Sequence, residues 1–349
     1  MYDAILIVGF GGPEAPKDVL PFLENVTRGR NVPRGRLLEV AAHYDHFGGR
    51  SPINDQCREL IAALRRELDE RSIHLPVYWG NRNWHPFLAD ALRQMRTDGV
   101  KRALAFVTSA YSSYSGCRQY RENIAAAQAE VGPGAPEVHK LRAFYNHPRF
   151  IQAYAGRVRC ALKQFSDDER RMLRFVATAH SIPCSMAQTS DYERQLRETT
   201  RLVAERAGFA NWDLVYQSRS GPATQSWLEP DILDHLRNLY AAGVRNVLLA
   251  PLGFLSDHVE VLYDLDTEAA RVASELGLKM IRAATVGTHP EFVSMIRELI
   301  EERIHPDAPR LAIGDFGANH DVCLADCCPT PQRAGKSPVL EVPCASRHS

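Results

Sequence analysis

Short apolar runs alternate along the chain with segments whose apolar residues recur every three or four positions. The runs, rich in Val, Ile, Leu and Ala, fall at 4–10, 76–81, 102–110, 138–144, 174–181, 213–218, 246–254 and 280–286, and predict strands. Amphipathic stretches at 53–71, 85–99, 192–208, 230–243 and 292–303 predict helices between them. Strands that read as continuous apolar runs, separated by helices, imply parallel sheets covered on both faces. The pattern also runs twice, because DGVKRALAFV at 98–107 and AGVRNVLLAP at 242–251 occupy equivalent places. The expectation is an α/β protein of two similar lobes, 1–150 and 151–315, connected near 145–165. Beyond them, 316–349 forms a short tail with Cys, Pro and Gly and no amphipathic period.

Ligands in such folds sit beyond the carboxyl ends of the strands. GFGGPEAP, TSAYSSYSG, TAHSIPCS, YQSRSGPATQ and PLGFLSDHVE all fall there and are expected to face one cleft. GFGGPEAP lacks the spaced third Gly of a dinucleotide fingerprint, and Pro13 with Pro16 spoils a helix N-terminus. It reads instead as a turn that lets backbone approach a flat ligand.

Composition narrows the classes. A chain of 349 residues suits two domains, and its 45% apolar and 24% charged content is that of an ordinary soluble protein. A net charge of +0 offers no general attraction for nucleic acid or an anionic membrane. MYDAILIVGF has no basic n-region or cleavage site, and no apolar stretch approaches the ~20 residues of a membrane helix. The default location is the cytoplasm, and the working oligomeric state a monomer. Four of the eight cysteines, Cys323, Cys327, Cys328 and Cys344, crowd the tail. In a reducing compartment such a group reads first as a metal or iron–sulfur site, and otherwise as incidental thiols.

His180 directly follows an apolar strand, as a satisfied polar residue or as a proton acceptor and metal ligand. Glu260, Asp264 and Glu268 recur every fourth residue, which on an α-helix forms one column. Like charges at that spacing disfavour a helix slightly. The column is therefore either a solvated face or a path for a cation. Arg28, Arg30, Arg34, Arg36 and Arg50 occupy a Gly- and Pro-punctuated stretch from 27 to 54, a solvated loop or a site for a ligand with several carboxylates.

ATAHSIP, GFLSDHVEVLYDLDTE, GGRSPIN, YQSRSGP and WLEPDI resemble, in order, the hallmark segments of the ferrochelatase family over residues 1 to about 305. The resemblance implies two Rossmann-like lobes with parallel four-stranded sheets flanked by helices, a chelatase-like architecture around a porphyrin cleft. It implies catalytic and iron-contacting roles for His180 and Glu260, with Asp264 and Glu268 as an iron ladder and Fe2+ as substrate. Phe10, Arg28, Arg30, Arg50, Ser51, Tyr114 and Tyr120 are the implied porphyrin contacts, with Trp227 a further ring-face candidate. Similarity to actinobacterial-type members favours coproporphyrin III over protoporphyrin IX. Phe10 stands where some coproporphyrin members carry a Tyr able to ligate product iron. The tail resembles that of members holding a [2Fe–2S] cluster, implying Cys160, Cys323, Cys327 and Cys328 as ligands, with Cys344 as an alternate. The rival readings are a protoporphyrin chelatase and a non-catalytic haem or porphyrin carrier.

Overall fold

The computed structural model describes residues 1–30, 32–221 and 224–330. Two four-stranded parallel sheets are present. The first comprises β1 (Ala4–Gly9), β2 (Val77–Asn81), β3 (Arg102–Val107) and β4 (Glu137–Lys140), in the order β2-β1-β3-β4. The second comprises β5 (Leu173–His180), β6 (Trp212–Gln217), β7 (Asn246–Ala250) and β8 (Lys279–Arg282), in the order β6-β5-β7-β8. The second sheet thus repeats the order of the first, as the duplicated pattern predicts. All eight expected runs are strands, though several stop earlier than their apolar run. LeuGlyPhe after β7, for example, turns back over the sheet to form the site.

β1 and β5 are central, and the apolar side chains from Ile5 to Val8 and from Phe175 to Ala177 are buried completely. Each such Val, Leu, Ile or Phe stabilises the fold by about 1.5–3 kcal/mol relative to exposure. The expected connection near 145–165 is itself regular structure. It is a 15-residue helix, Pro148–Leu162, started by the His147 ring nitrogen accepting from the Arg149 N–H and by Pro at its first position. Phe144, Phe150 and Phe292 cluster there against Phe106 of β3. The last helix, Pro290–Ile304, therefore returns to the first lobe, where Arg297 pairs with Glu67 at 2.8 Å. One apolar core runs through both lobes.

The tail has no helix or strand among its described residues, and side chains of the body hold its main chain instead. Arg142 grips Glu302 with two 2.8 Å bonds and donates to the Leu311 carbonyl, and Asn146 donates to the Phe316 carbonyl at 2.7 Å. No helix among the described residues is long and apolar enough to cross a membrane.

Candidate active site

β5 ends on His180, and the parallel register places Gln217, the last residue of β6, beside it. His180 Nδ1 lies 2.5 Å from the Ser181 carbonyl oxygen. A carbonyl only accepts, so Nδ1 carries the proton and Nε2 presents a lone pair. That Nε2 is 3.8 Å from Glu260 Oε2. The His180 side chain is 33% exposed and that of Glu260 50%, so both open onto solvent rather than into the core.

Glycine makes this meeting possible. The Gly253 N–H donates to the Thr178 carbonyl at 2.9 Å, drawing the loop after β7 onto β5. A Cβ on Gly253 would fall 2.6 Å from Ala179 Cα, a backbone collision that no rotamer relieves. The loop then continues to His258, whose imidazole is held below its usual pKa, chiefly by burial.

The acidic column begins on the short helix Val259–Val261 and continues on Leu262–Ala269, which is a π-helix rather than the expected α-helix. Its wider i→i+5 turn, a form frequent at functional sites, carries Asp264 and Glu268. Five acids lie between 257 and 268, and they divide sharply. Arg282 neutralises Asp257 at 2.7 Å and Asp266 at 2.5 Å. Glu260, Asp264 and Glu268 pair with no Lys or Arg among the described residues. Asp264 accepts from the Ser218 hydroxyl and, at 3.3 Å, from Gln217 Nε2. Burial is the largest influence on its carboxyl and raises its pKa; Ser218 opposes this, and repulsion from Glu260 and Glu268 adds to it, for a result of about 7.

The first lobe closes against this ladder through a helix, Arg34–Asp45, that forms where a loop was expected to run. From it, Tyr44 feels the charge of Glu260, and His43 stacks on Tyr263 of the π-helix at 3.8 Å. An imidazole with a free lone pair, above three uncompensated carboxylates, can take protons from a ligand while a divalent ion waits in weak oxygen coordination.

The Ferrochelatase family model matches residues 2–304. A protein of Rhodopirellula baltica named Ferrochelatase is 56% identical over 343 residues, covering 97% of both chains. The Coproporphyrin III ferrochelatase of Nocardia farcinica is 51% identical, covering 95% of this chain and 97% of its own. The chain belongs to the ferrochelatase family. It is accordingly a metal chelatase. Coproporphyrin III ferrochelatase of Streptomyces coelicolor is 50% identical over 94% of the chain. The sirohydrochlorin chelatase SirB of Bacillus subtilis subspecies spizizenii in complex with cobalt superposes with a TM-score of 0.52 at 12% identity, over 88% of this chain and 97% of its own. SirB from Bacillus subtilis with Fe3+ gives 0.53 at 14% identity, over 88% of this chain and all of its own. At such low identity these two share the fold.

Within this ferrochelatase fold the expected porphyrin contacts separate. Phe10, at the end of β1, lies edge-on to Phe22 and beneath the Arg82 guanidinium. Arg28 and Arg30 are exposed, Arg28 bonding the neutral Asn25. Arg50 is paired with Asp55. Tyr114 is partly exposed and donates to Glu122 at 3.1 Å. Two of the expected contacts are inside. Tyr120 is 4% exposed under the Arg82 guanidinium, and Ser51 is 3% exposed, packed under Gly12. A Cβ on Gly12 would strike Ser51 and Ile53, so that side of the turn packs against protein. Trp227 is likewise buried, its ring covered by Gly221. Gln217 and Arg82 were missed by sequence reasoning. Gln217 could have been found from its place at a strand end beside His180.

The tail thiols meet a different internal cysteine from the one expected. Cys160 is exposed near the end of Pro148–Leu162 and belongs to no converging group of donors among the described residues. Cys117, buried in the π-turn Tyr114–Arg118 that follows β3, lies beside Cys323, and that neighbour is the main cause holding its thiol below the usual range. Arg118 donates to the Ala325 carbonyl at 2.8 Å and Arg121 to the Cys323 carbonyl at 3.2 Å, pinning the tail over Cys117. Cys327 Sγ lies 3.8 Å from Cys328 Sγ. Cys344 lies outside the described residues.

Proposed function

We propose that this chain inserts Fe2+ into coproporphyrin III to give Fe-coproporphyrin III. The observation that carries the chemistry is the His180 lone pair facing Glu260 at the head of an uncompensated acid ladder. Insertion removes two pyrrole protons and fills the macrocycle with one divalent ion, so charge balances. His180 Nε2 accepts one proton, releases it to solvent from its exposed edge and then accepts the second, and Glu260 stabilises the imidazolium each time. Glu268 and Asp264 hold incoming Fe2+ through oxygen alone, which keeps the ion exchangeable.

The choice of porphyrin rests on cations and relatives. Coproporphyrin III carries four carboxylates, and Arg30 and Arg34 make no ion pair among the described residues, while Arg28 bonds only an amide. Guanidinium groups without carboxylate partners suit carboxylate ligands. The actinobacterial relatives named for coproporphyrin III point the same way. Anaerobic Fe2+ insertion, followed as loss of porphyrin fluorescence, is expected to be faster with coproporphyrin III than with protoporphyrin IX. Equal rates would remove the preference.

The proposal extends to a [2Fe–2S] centre in the tail, with Cys117, Cys323 and Cys327 as three of its ligands. The convergence of Cys117 on the tail supports it, since a cluster needs four donors in one place. Cys117→Ser is expected to bleach the visible absorption of the isolated protein, and Cys160→Ser to leave it intact. The reverse result would restore Cys160 to the ligand set.

A further inference from the structure

We propose that His320 is the fourth ligand of the tail centre, which is then held by three thiolates and one imidazole, with Cys328 outside the coordination sphere. The inference rests on the reading of the tail as a metal centre and adds a donor that cysteine arithmetic does not supply.

The geometry favours the imidazole. The ligand atoms of His320, Cys323 and Cys327 all lie within 4.8 Å of one another, and among the described residues no other three His, Cys, Asp or Glu donors converge so closely. His320 Nε2 is 4.0 Å from Cys327 Sγ. Cys117 lies beside Cys323, under the tail that Arg121 holds by the Cys323 carbonyl. The competitor is Cys328. Its sulfur is 3.8 Å from that of Cys327, a spacing that two thiolates on one tetrahedral ion at ~2.3 Å would also adopt. Yet Cys328 takes part in no three-donor convergence. It is 6% exposed, on a backbone turned left-handed at φ 50°, whereas His320 stands at the open rim of the group.

Chemistry is consistent with a mixed set. A neutral imidazole in place of a thiolate leaves the centre one negative charge smaller. Arg118 and Arg121, which donate to tail carbonyls, stand beside the group, and Arg121 and Lys140 favour the Cys117 thiolate. Replacing thiolate by imidazole also raises the reduction potential of a binuclear cluster.

The test uses the full chain, isolated anaerobically and reduced, and reads pulsed EPR for a directly coordinated 14N. The wild-type protein should show that coupling, and His320→Ala should lose it. His320→Cys should restore the visible absorption without the nitrogen and lower the reduction potential. Cys328→Ser should keep both chromophore and nitrogen coupling. Absence of a coordinated nitrogen in the wild-type protein would overturn the assignment, as would bleaching by Cys328→Ser with an unchanged His320→Ala spectrum. If the isolated protein carries zinc and no iron, the cluster reading fails separately. The assignment is then decided on cobalt-substituted protein, whose ligand-field bands should shift in His320→Ala; unshifted bands overturn it. A tail that binds neither iron nor zinc overturns both.

Discussion

His180→Ala is expected to bind coproporphyrin III as the unaltered protein does, and to insert Fe2+ about 10²–10⁴-fold more slowly, the range that a positioned general base contributes. The argument is geometric. The Ser181 carbonyl can only accept, so it holds the proton on Nδ1 and leaves Nε2 as the basic atom. Tyr192 donates to the His180 carbonyl at 2.9 Å, fixing the end of the strand that carries the ring. Glu260 stands 3.8 Å from Nε2, where it can stabilise the imidazolium. The ring packs at the cleft edge and not in the apolar core, so its removal should leave the melting temperature nearly unchanged. Fluorescence quenching reports porphyrin binding and anaerobic fluorescence loss reports turnover, in the same cuvette. A carrier would retain binding and have no turnover to lose. An undiminished rate in His180→Ala would remove the imidazole from the mechanism.

How much of this was legible beforehand follows from what each feature writes into side-chain order. β1, β3, β5 and β7 are buried on both faces, so they appear as unbroken apolar runs, and their C-terminal ends could be located to within a few residues. His180 was visible for the same reason, as a polar residue closing such a run. The helix Arg34–Asp45 was hidden because it buries only Leu37 among its twelve residues and so writes no amphipathic stripe. The π-helix was invisible in principle. The spacing of Glu260, Asp264 and Glu268 reads as one face whether the backbone closes i→i+4 or i→i+5, and hydrogen-bond register leaves no trace in that pattern.

Cys117 was overlooked for another reason. It sits among Tyr, Ser and Gly in a turn that shows no periodicity, and its partner Cys323 is more than two hundred residues away. Its place in the loop at the carboxyl end of β3 was an available signal. Cys160 was implied by the family resemblance, and the structure turns it to solvent. Among the acids, sequence showed which ones line up but not which are neutralised. Arg282 makes that distinction from β8, taking Asp257 and Asp266 and leaving the ladder bare.

The bare ladder leads to the second large effect. The Asp264 carboxyl, with a pKa raised by burial to about 7 from 3.8, is part protonated at neutral pH. Only its ionised form can hold Fe2+ between Glu268 and Glu260, so the KM for Fe2+ should fall as pH rises through about 7. Asp264→Asn should lose that pH step and insert iron roughly 10- to 100-fold less efficiently, the scale on which partners at metal sites act. Stability should move the opposite way. A carboxyl whose folded pKa lies above its unfolded one binds its proton more tightly in the native state. Its destabilising contribution is absent below pH 3.8, grows as pH rises towards 7 and is fully present above. Asparagine keeps the bonds from Ser218 and Gln217 within reach and carries no charge to bury. The variant should therefore melt higher than the unaltered protein at pH 8, and the two should converge near pH 4. Thermal melts at those two pH values, beside Fe2+ titrations of the rate from pH 6 to 8, separate this from a merely structural role. An Asp264→Asn protein that melts lower at pH 8, or that retains the pH step in its KM, would show that the middle rung is not the titrating, iron-holding group.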